Sequence, residues 1–195
     1  NIQDNFVKQD FKKVKIDEFS ELDRYILHRL QSLNLAVYEN LNIYNFHKLY
    51  KELLNFCSLD LSSFYFDIRK DTLYCDSELS SKRKACINLL GLILDMLLKW
   101  FAPILSFTTE EIFQILNQDQ NSSIHLQKFP LIPQTWENEK LFKKWEKFKI
   151  IRKVVNAAME IKRANKDIGS SLEADVQVYL NEDYLKIAKD FDLSE

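Results

Sequence analysis

The chain has 195 residues, 46% of them hydrophobic and 29% charged, so it is long enough for one ordinary domain and too apolar for a disordered protein. Its 2 glycines and 3 prolines fall far below the usual fractions of roughly 7% and 5%, and this scarcity of turn residues favours long helices over sheets. The net charge of −2 excludes a uniformly basic nucleic-acid-binding protein.

The first predicted helix follows a polar leading segment, residues 1–19. Ser20 is a typical N-cap residue, and Asp23, three positions later, completes a weaker form of the capping box. Apolar residues then recur every three or four positions, which is the period of one helical face: Leu22, Ile26, Leu30, Leu33, Val37 and Leu41. Residues 42–45 predict a short break.

A second helix is predicted from Phe46 to Ile68, again from spacings of three and four. We expect this stripe to turn Cys57 and Phe64 into the core, where a free cysteine behaves as a small hydrophobe. Asp60 borders the stripe and is expected to be paired at a helix interface rather than catalytic. After Ile68 the pattern fails, and residues 69–83 predict a polar connection. The stripe consists of Phe46, Tyr50, Leu54, Cys57, Leu61, Phe64 and Ile68.

Two more helices are predicted next, followed by a region without regular helix. Ser80 or Ser81 caps a third helix, apolar almost all round and therefore central, that ends near Phe101. Charged residues near the middle of residues 85–107 argue against a membrane span there. Thr108 and Glu111 predict a capping box for a fourth helix. Residues 117–123 then predict a loop, residues 124–130 an extended piece and residues 130–134 a turn region.

The longest helix is predicted from Trp136 to about Asp167, with Gly169 as the left-handed residue that ends it. Residues 174–180 alternate as a half-buried strand. One strand cannot form a sheet, so we expect the start of a small, truncated α/β piece here. The predicted fold is thus an all-α antiparallel helix bundle followed by that piece. Its predicted domains are residues 1–19, 20–168 and 169–195.

The sequence predicts no catalytic residue and no metal site. None of the three histidines has a glutamate three positions before it, and the three cysteines have neither a C-x-x-C pair nor a zinc spacing. Such cysteines are typical of reduced thiols in the cytoplasm. Neither a G-x-S-x-G nucleophile motif nor a glycine-rich phosphate loop is present in the sequence.

The remaining chemical signal is electrostatic. Residues 136–168 carry a net charge of +5, which leaves −7 on the rest of the chain. Basic side chains near a helix C-terminus can complement the helix dipole on a solvated face, or they can bind nucleic-acid phosphates. Both interpretations are open from the residues alone. The candidate binding residues are Arg152, Lys153, Lys162, Arg163 and Lys166. At 3.6 residues per turn, their spacings predict that Arg152 and Arg163 share one face. Lys162 and Lys166 are predicted to share a nearby one.

Four segments add a family resemblance. They are LDRYILHRL at 22–30, NFCSLDLSSFYFDIRKDTLYCD at 55–76, FAPILSFTTEEIF at 101–113 and IKRANKDIGSSLEADVQVYL at 161–180. In this order they resemble the anticodon-binding region of bacterial-type isoleucyl-tRNA synthetases, over about residues 20–180.

The resemblance implies a parent ligase that joins isoleucine to its tRNA with ATP. The nucleotide-binding signatures of that family, HIGH and KMSKS, are not in these residues. The implied role is therefore to hold isoleucine tRNA, with no catalytic site and no cofactor in this fragment, in a monomeric cytoplasmic protein without membrane contact. The alternative is a helical protein-interaction scaffold with no RNA role. An RNA interface would lose affinity as salt rises, whereas an apolar helix interface would not.

Overall fold

The computed structural model describes residues 16–117 and 121–191, which fall into two compact units that divide after Asn138. The described residues form helices and no strand, which confirms the all-α prediction; the truncated α/β piece is not seen among them. The predicted boundaries after residues 19 and 168 stay predictions, and residues 1–15 of the leading segment lie outside the described part.

The first unit contains α1 Glu21–Asn42, α2 Phe46–Asn55, a π-helical segment Phe56–Phe66, α3 Asp67–Cys75, α4 Ser81–Phe101 and α5 Ser106–Leu116. The second contains α6 Glu139–Ala164 and α7 Glu182–Lys189.

Helix α1 begins where the sequence predicts. The amide of Asp23 donates to Ser20 Oγ at 3.3 Å, and the amide of Ser20 donates to Asp23 Oδ2 at 3.3 Å, so the capping box is complete. The predicted stripe of α1 is buried from Leu22 to Val37. Burial of this face holds the helix in the first unit.

The corner between α1 and α2 lies in the predicted break, and Tyr44 occupies it with a left-handed φ of 56°. The amide of Asn45 donates to the carbonyl of Asn40 at 2.8 Å, and that of Tyr44 to Leu41 at 3.1 Å, which is the Schellman pattern of a helix end. Asn45 Oδ1 then accepts from the Lys48 amide at 3.2 Å and caps α2. Glycine is the residue that usually takes the left-handed position.

Replacing Tyr44 with glycine should therefore raise the free energy of unfolding. The left-handed conformation costs a non-glycine residue about 1–2 kcal/mol, and the added freedom of glycine in the unfolded chain offsets part of the gain. We expect a net increase of about 0.5–1 kcal/mol, measured by urea denaturation. Tyr74→Gly, at an exposed position inside α3, is the matched control and should lower stability by about the same amount. Equal losses in both variants would contradict the assigned backbone conformation.

The helical stretch that starts at Phe46 includes the π-helical segment and continues past Ile68, where the sequence predicted its end, to Cys75. A π-turn bonds i to i+5 and takes more residues per turn than an α-turn, so neighbouring residues enter the core in pairs. The predicted stripe is therefore wrong at Phe46, Tyr50 and Leu54, which are exposed, and Cys57 is only half-buried. The buried side chains are Leu49, Leu53, Phe56, Asp60, Leu61, Phe64, Tyr65, Arg69 and Thr72.

The predicted polar connection is also wrong, because residues 69–75 are helical and Arg69 is fully buried. Its Nη2 lies 3.2 Å from Asp23 Oδ1, and it also donates to Ser20 Oγ. The Tyr65 hydroxyl donates to the same Asp23 oxygen at 2.8 Å. Burial, and then the Asp23 carboxylate, raise the pKa of Tyr65 well above its usual value. This buried polar cluster ties the start of α1 to the π-segment and α3.

A second ion pair joins α1 to the π-segment. Arg29 Nη2 lies 3.0 Å from Asp60 Oδ2, and the carboxylate of Asp60 is almost completely buried. The expectation that Asp60 is paired at a helix interface is confirmed. Because a buried carboxylate needs such a partner, this pair fixes the register of two packed helices.

Helix α4 is capped by Ser80, whose Oγ accepts from the Arg83 amide at 3.3 Å, and it ends at Phe101 as predicted. It packs against α1, α2, α3 and α5, which gives it the central position expected for it. Within the described residues, no helix combines the length and hydropathy that a bilayer crossing requires.

Helix α5 begins at Ser106, so the predicted capping box of Thr108 with Glu111 is wrong. The hydroxyl of Thr109 instead donates back to the Leu105 carbonyl at 3.0 Å. Residues 124–126 form a short 3₁₀ turn where the sequence predicts an extended piece.

In the second unit, α6 is shorter than predicted, from Glu139 to Ala164. Its Trp145 makes edge-to-face contacts with Phe148 and Phe191, at centroid distances of 5.6 and 4.7 Å. Helix α7, which the sequence analysis did not predict, packs against α6. Residues 174–181 are neither helix nor strand, since no described segment pairs with them, and the predicted strand is therefore wrong.

Candidate nucleic-acid interface

The candidate basic residues all lie in the second unit. Arg152, Lys153, Lys162 and Arg163 are on α6, and Lys166 follows its end. Arg152 and Arg163 are eleven positions apart, about three turns, so they share one face as predicted. The predicted common face of Lys162 and Lys166 does not exist, because the helix stops at Ala164 before it reaches Lys166.

The end of α6 is built around Lys166, whose φ is 64°. The Asp167 amide donates to the Lys162 carbonyl at 2.9 Å and the Lys166 amide to Arg163 at 3.0 Å, again the Schellman pattern. Gly169 does not have a positive φ, so its predicted role as the left-handed residue is wrong. Its amide donates instead to Glu173 Oε2 at 2.9 Å. The left-handed residue at this helix end is thus an exposed lysine.

Two of the candidate cations already have carboxylate partners. Lys162 Nζ lies 3.1 Å from Asp167 Oδ2, and Arg163 pairs with Glu160 one turn earlier. Lys162, Asp167 and Glu160 are exposed and Arg163 is half-buried, and surface pairs of this kind contribute little to stability. A phosphate oxygen could therefore replace either carboxylate at small cost.

Lys153 and Lys166 are exposed, and no ion pair joins either of them to another described residue. Neither lysine has to break an ion pair with a described residue before it contacts an anion. Among the five candidates they are the residues best placed for phosphate contacts.

A cavity of about 410 Å³ opens beside Lys162, within the second unit. Ala158, Met159, Ile168 and Val176 supply an apolar lining, and Asp167, Glu173 and Asp175 add carboxylates to its wall. Carboxylates repel phosphates but accept hydrogen bonds from base amino groups. The cavity is therefore better suited to the ring of a nucleobase, or to another ring without negative charge, than to a phosphate.

The sequence analysis missed a second exposed surface, at the α1–α2 corner of the first unit. Tyr44, Phe46 and Tyr50 expose aromatic rings there, and His47 and Lys51 are exposed beside them. Phe46 and Tyr50 fit a helical period, so the sequence analysis assigned them to the core. The position of Tyr44 in a predicted break was the one signal that could have marked this surface.

The described residues contain no cluster of three or more histidine, cysteine or acidic side chains that could hold a metal ion. The free thiols of Cys57, Cys75 and Cys86 are half-buried, exposed and buried, respectively. Burial raises the pKa of Cys86, which keeps its sulfur protonated. That the protein binds no metal stays a prediction.

Comparison with known proteins gives one family match. The sequence model described as the anticodon-binding domain of tRNA ligase matches residues 23–179. An isoleucine–tRNA ligase of Pelagibacter ubique is 53% identical over 195 residues, which is 100% of this chain and 21% of that protein. Those of Mesorhizobium japonicum and Agrobacterium fabrum are 44% and 43% identical over 95% and 87% of this chain, which correspond to 19% and 17% of their lengths. The chain spans about one fifth of the length of these relatives.

Proposed function

Because the chain belongs to the anticodon-binding domain family of tRNA ligases, we propose that it binds the anticodon stem and loop of an isoleucine tRNA within a longer isoleucine–tRNA ligase. The family match over residues 23–179 is the observation that carries this proposal. We assign the ATP-dependent ligation to the longer protein, a monomeric cytoplasmic enzyme, and no catalytic residue to this chain. Its task is to hold the tRNA while the reaction takes place elsewhere.

The first unit is suited to act as a rigid support. The buried ion pair Asp23–Arg69 joins α1 to α3, and the partly buried pair Arg29–Asp60 joins α1 to the π-segment. A support of this kind limits the movement of the side chains on the surface of the first unit itself, and positioning within a fraction of an ångström matters for recognition.

The second unit supplies cations in the form that phosphates require. Exposed Lys153 and Lys166 can contact phosphates directly, and Lys162 can exchange Asp167 for a phosphate oxygen. Such contacts set the register of the RNA without reading its sequence. Unpaired bases are then read by stacking and by hydrogen bonds to their edges, for which the cavity beside Lys162 has room.

Binding of two RNA hairpins tests this proposal. One hairpin carries the anticodon stem and loop of an isoleucine tRNA, and the other carries its acceptor stem closed by a stable loop. At equal length and salt, we expect the chain to bind the anticodon hairpin at least about tenfold more tightly, because loop bases add about 1–3 kcal/mol each when they stack. Equal affinities would contradict an anticodon-arm module.

The alternative function, a protein-interaction scaffold, has one structural observation in its favour. Ile150, Val154 and Ile161 are exposed on α6 at spacings that put them near one face. A partner helix could cover this face, and such a contact would persist at high salt. The scaffold would be favoured if the chain co-sediments with a partner protein equally at low and high salt and binds no RNA.

A further inference from the structure

The α1–α2 corner concentrates exposed aromatic surface. Tyr44 is 80% exposed, and Phe46 and Tyr50 are each 41% exposed. The ring centroids of Tyr44 and Phe46 lie 6.4 Å apart at an interplanar angle of 60°. Tyr50 follows Phe46 by four positions, so the two lie on one ridge of α2. Three rings are thus available to a ligand at one helix corner.

The conformation of Tyr44 indicates that its side chain has a role besides folding. Its φ of 56° is one that glycine or asparagine adopts at lower cost, and the hydrogen bonds of the helix end use only the backbone. The ring itself is mostly in solvent, so packing does not explain the choice of residue. Unfavourable backbone conformations of this kind concentrate at ligand-binding positions.

One positive charge, that of Lys51, lies beside the aromatic ridge. His47 and Lys51 are exposed and follow one another by one turn of α2, next to the Phe46–Tyr50 ridge. Lys48, also exposed, pairs with Glu52 at 3.7 Å. Rings that can stack on bases, interleaved with cations that can contact phosphates, are what single-stranded nucleic acid requires. A purely apolar partner helix would gain nothing from these cations.

We propose that the α1–α2 corner is a stacking platform for unpaired RNA nucleotides, with Tyr44 and Phe46 contacting bases and Lys51 contacting a phosphate. This inference rests on the proposed function and adds to it a surface in the first unit that binds the loop rather than the stem. Stacking tolerates any base because every base has a π face, so the corner holds loop nucleotides without selecting their identity.

The variant Tyr44→Gly separates ring loss from unfolding, because glycine suits the left-handed backbone. Its affinity for the anticodon hairpin should fall about tenfold, while Tyr44→Phe should bind like the unmodified protein. A blunt duplex with the same stem and no unpaired nucleotides should be bound equally by all three proteins. A 2-aminopurine placed in the loop should show less stacking-induced quenching with Tyr44→Gly.

Tyr74→Gly, at another exposed tyrosine, is the control and should leave hairpin affinity unchanged. If Tyr44→Gly binds the hairpin as tightly as the unmodified protein, the corner inference is overturned and the proposed function stands. If neither hairpin nor duplex is bound at any salt concentration, both are overturned. If Tyr44→Gly changes the sedimentation of the protein alone and leaves RNA affinity unchanged, the corner is a protein contact and the inference is overturned.

Discussion

Replacing Arg69 with methionine should destabilise the first unit by about 3–5 kcal/mol, because the variant leaves the carboxylate of Asp23 buried without its cation. Neither side chain of this pair is more than 1% exposed, so water cannot take the place of the guanidinium. The Tyr65 hydroxyl and the Ser20 amide would still donate to Asp23, but neutral donors compensate a buried charge poorly. Urea denaturation followed by circular dichroism measures the loss.

Lys70→Met is the matched control, because Lys70 is the next residue and pairs with Asp67 at 3.1 Å on the surface. An exposed pair of this kind contributes at most about 1 kcal/mol, so this variant should be nearly as stable as the unmodified protein. The double variant Asp23→Leu, Arg69→Met should recover part of the loss, because it removes both charges of the buried pair. The recovery is incomplete, because the variant also loses the hydrogen bond that Asp23 accepts in the capping box. Equal stability of Arg69→Met and Lys70→Met would contradict the buried pair.

The sequence predicts those elements whose signals are local. The capping box at Ser20 and Asp23, the stripe of α1 and the cap at Ser80 depend on residues three or four positions apart, and all three are observed. The pairing of Asp60 could also be predicted, because a carboxylate beside an apolar stripe needs a partner.

The π-segment could not be predicted in this way. A period of 3.6 residues fits Phe46, Tyr50 and Leu54, but the wider turns after Phe56 change which residues face the core. The partner of Arg69 lies 46 positions away, so nothing near Arg69 in the sequence shows that it is buried. Both left-handed residues were missed for a related reason: Tyr44 and Lys166 occupy positions where glycine is the usual signal.

The only part of the candidate site that the sequence could predict was the part that depends on the distribution of charge. A net charge of +5 over residues 136–168 located the basic strip, which consists of Arg152, Lys153, Lys162, Arg163 and Lys166. The charge count could not show that Lys162 and Arg163 already have carboxylate partners. It could not reveal the aromatic corner either, because the exposure of Phe46 depends on which face of α2 the other helices cover.

Binding of the anticodon hairpin should weaken steeply as salt rises. Each phosphate contact adds about 0.7–0.9 to the slope of log affinity against log salt concentration, so five contacts give a slope of about −3.5 to −4.5. Affinity should then fall roughly 130- to 500-fold between 50 and 200 mM salt. A solvated helix face without RNA contacts would show no such slope.

The double variant Lys153→Glu, Lys166→Glu should reduce that slope by about 1.4–1.8, because two phosphate contacts are lost. The fold should be unaffected, since neither lysine forms an ion pair with a described residue. Lys143→Glu is the matched control: it reverses a charge on the second turn of α6, where Lys143 lies 3.6 Å from Glu139 and outside the strip.

The decisive measurement is the affinity of the unmodified chain, the double variant and Lys143→Glu for the anticodon hairpin of an isoleucine tRNA, by fluorescence anisotropy from 50 to 200 mM salt. If the basic strip holds the phosphates of the anticodon arm, the unmodified chain and Lys143→Glu share a steep slope, and the double variant binds more weakly with a shallower one. Three indistinguishable slopes, or an equal loss in Lys143→Glu, would contradict the account.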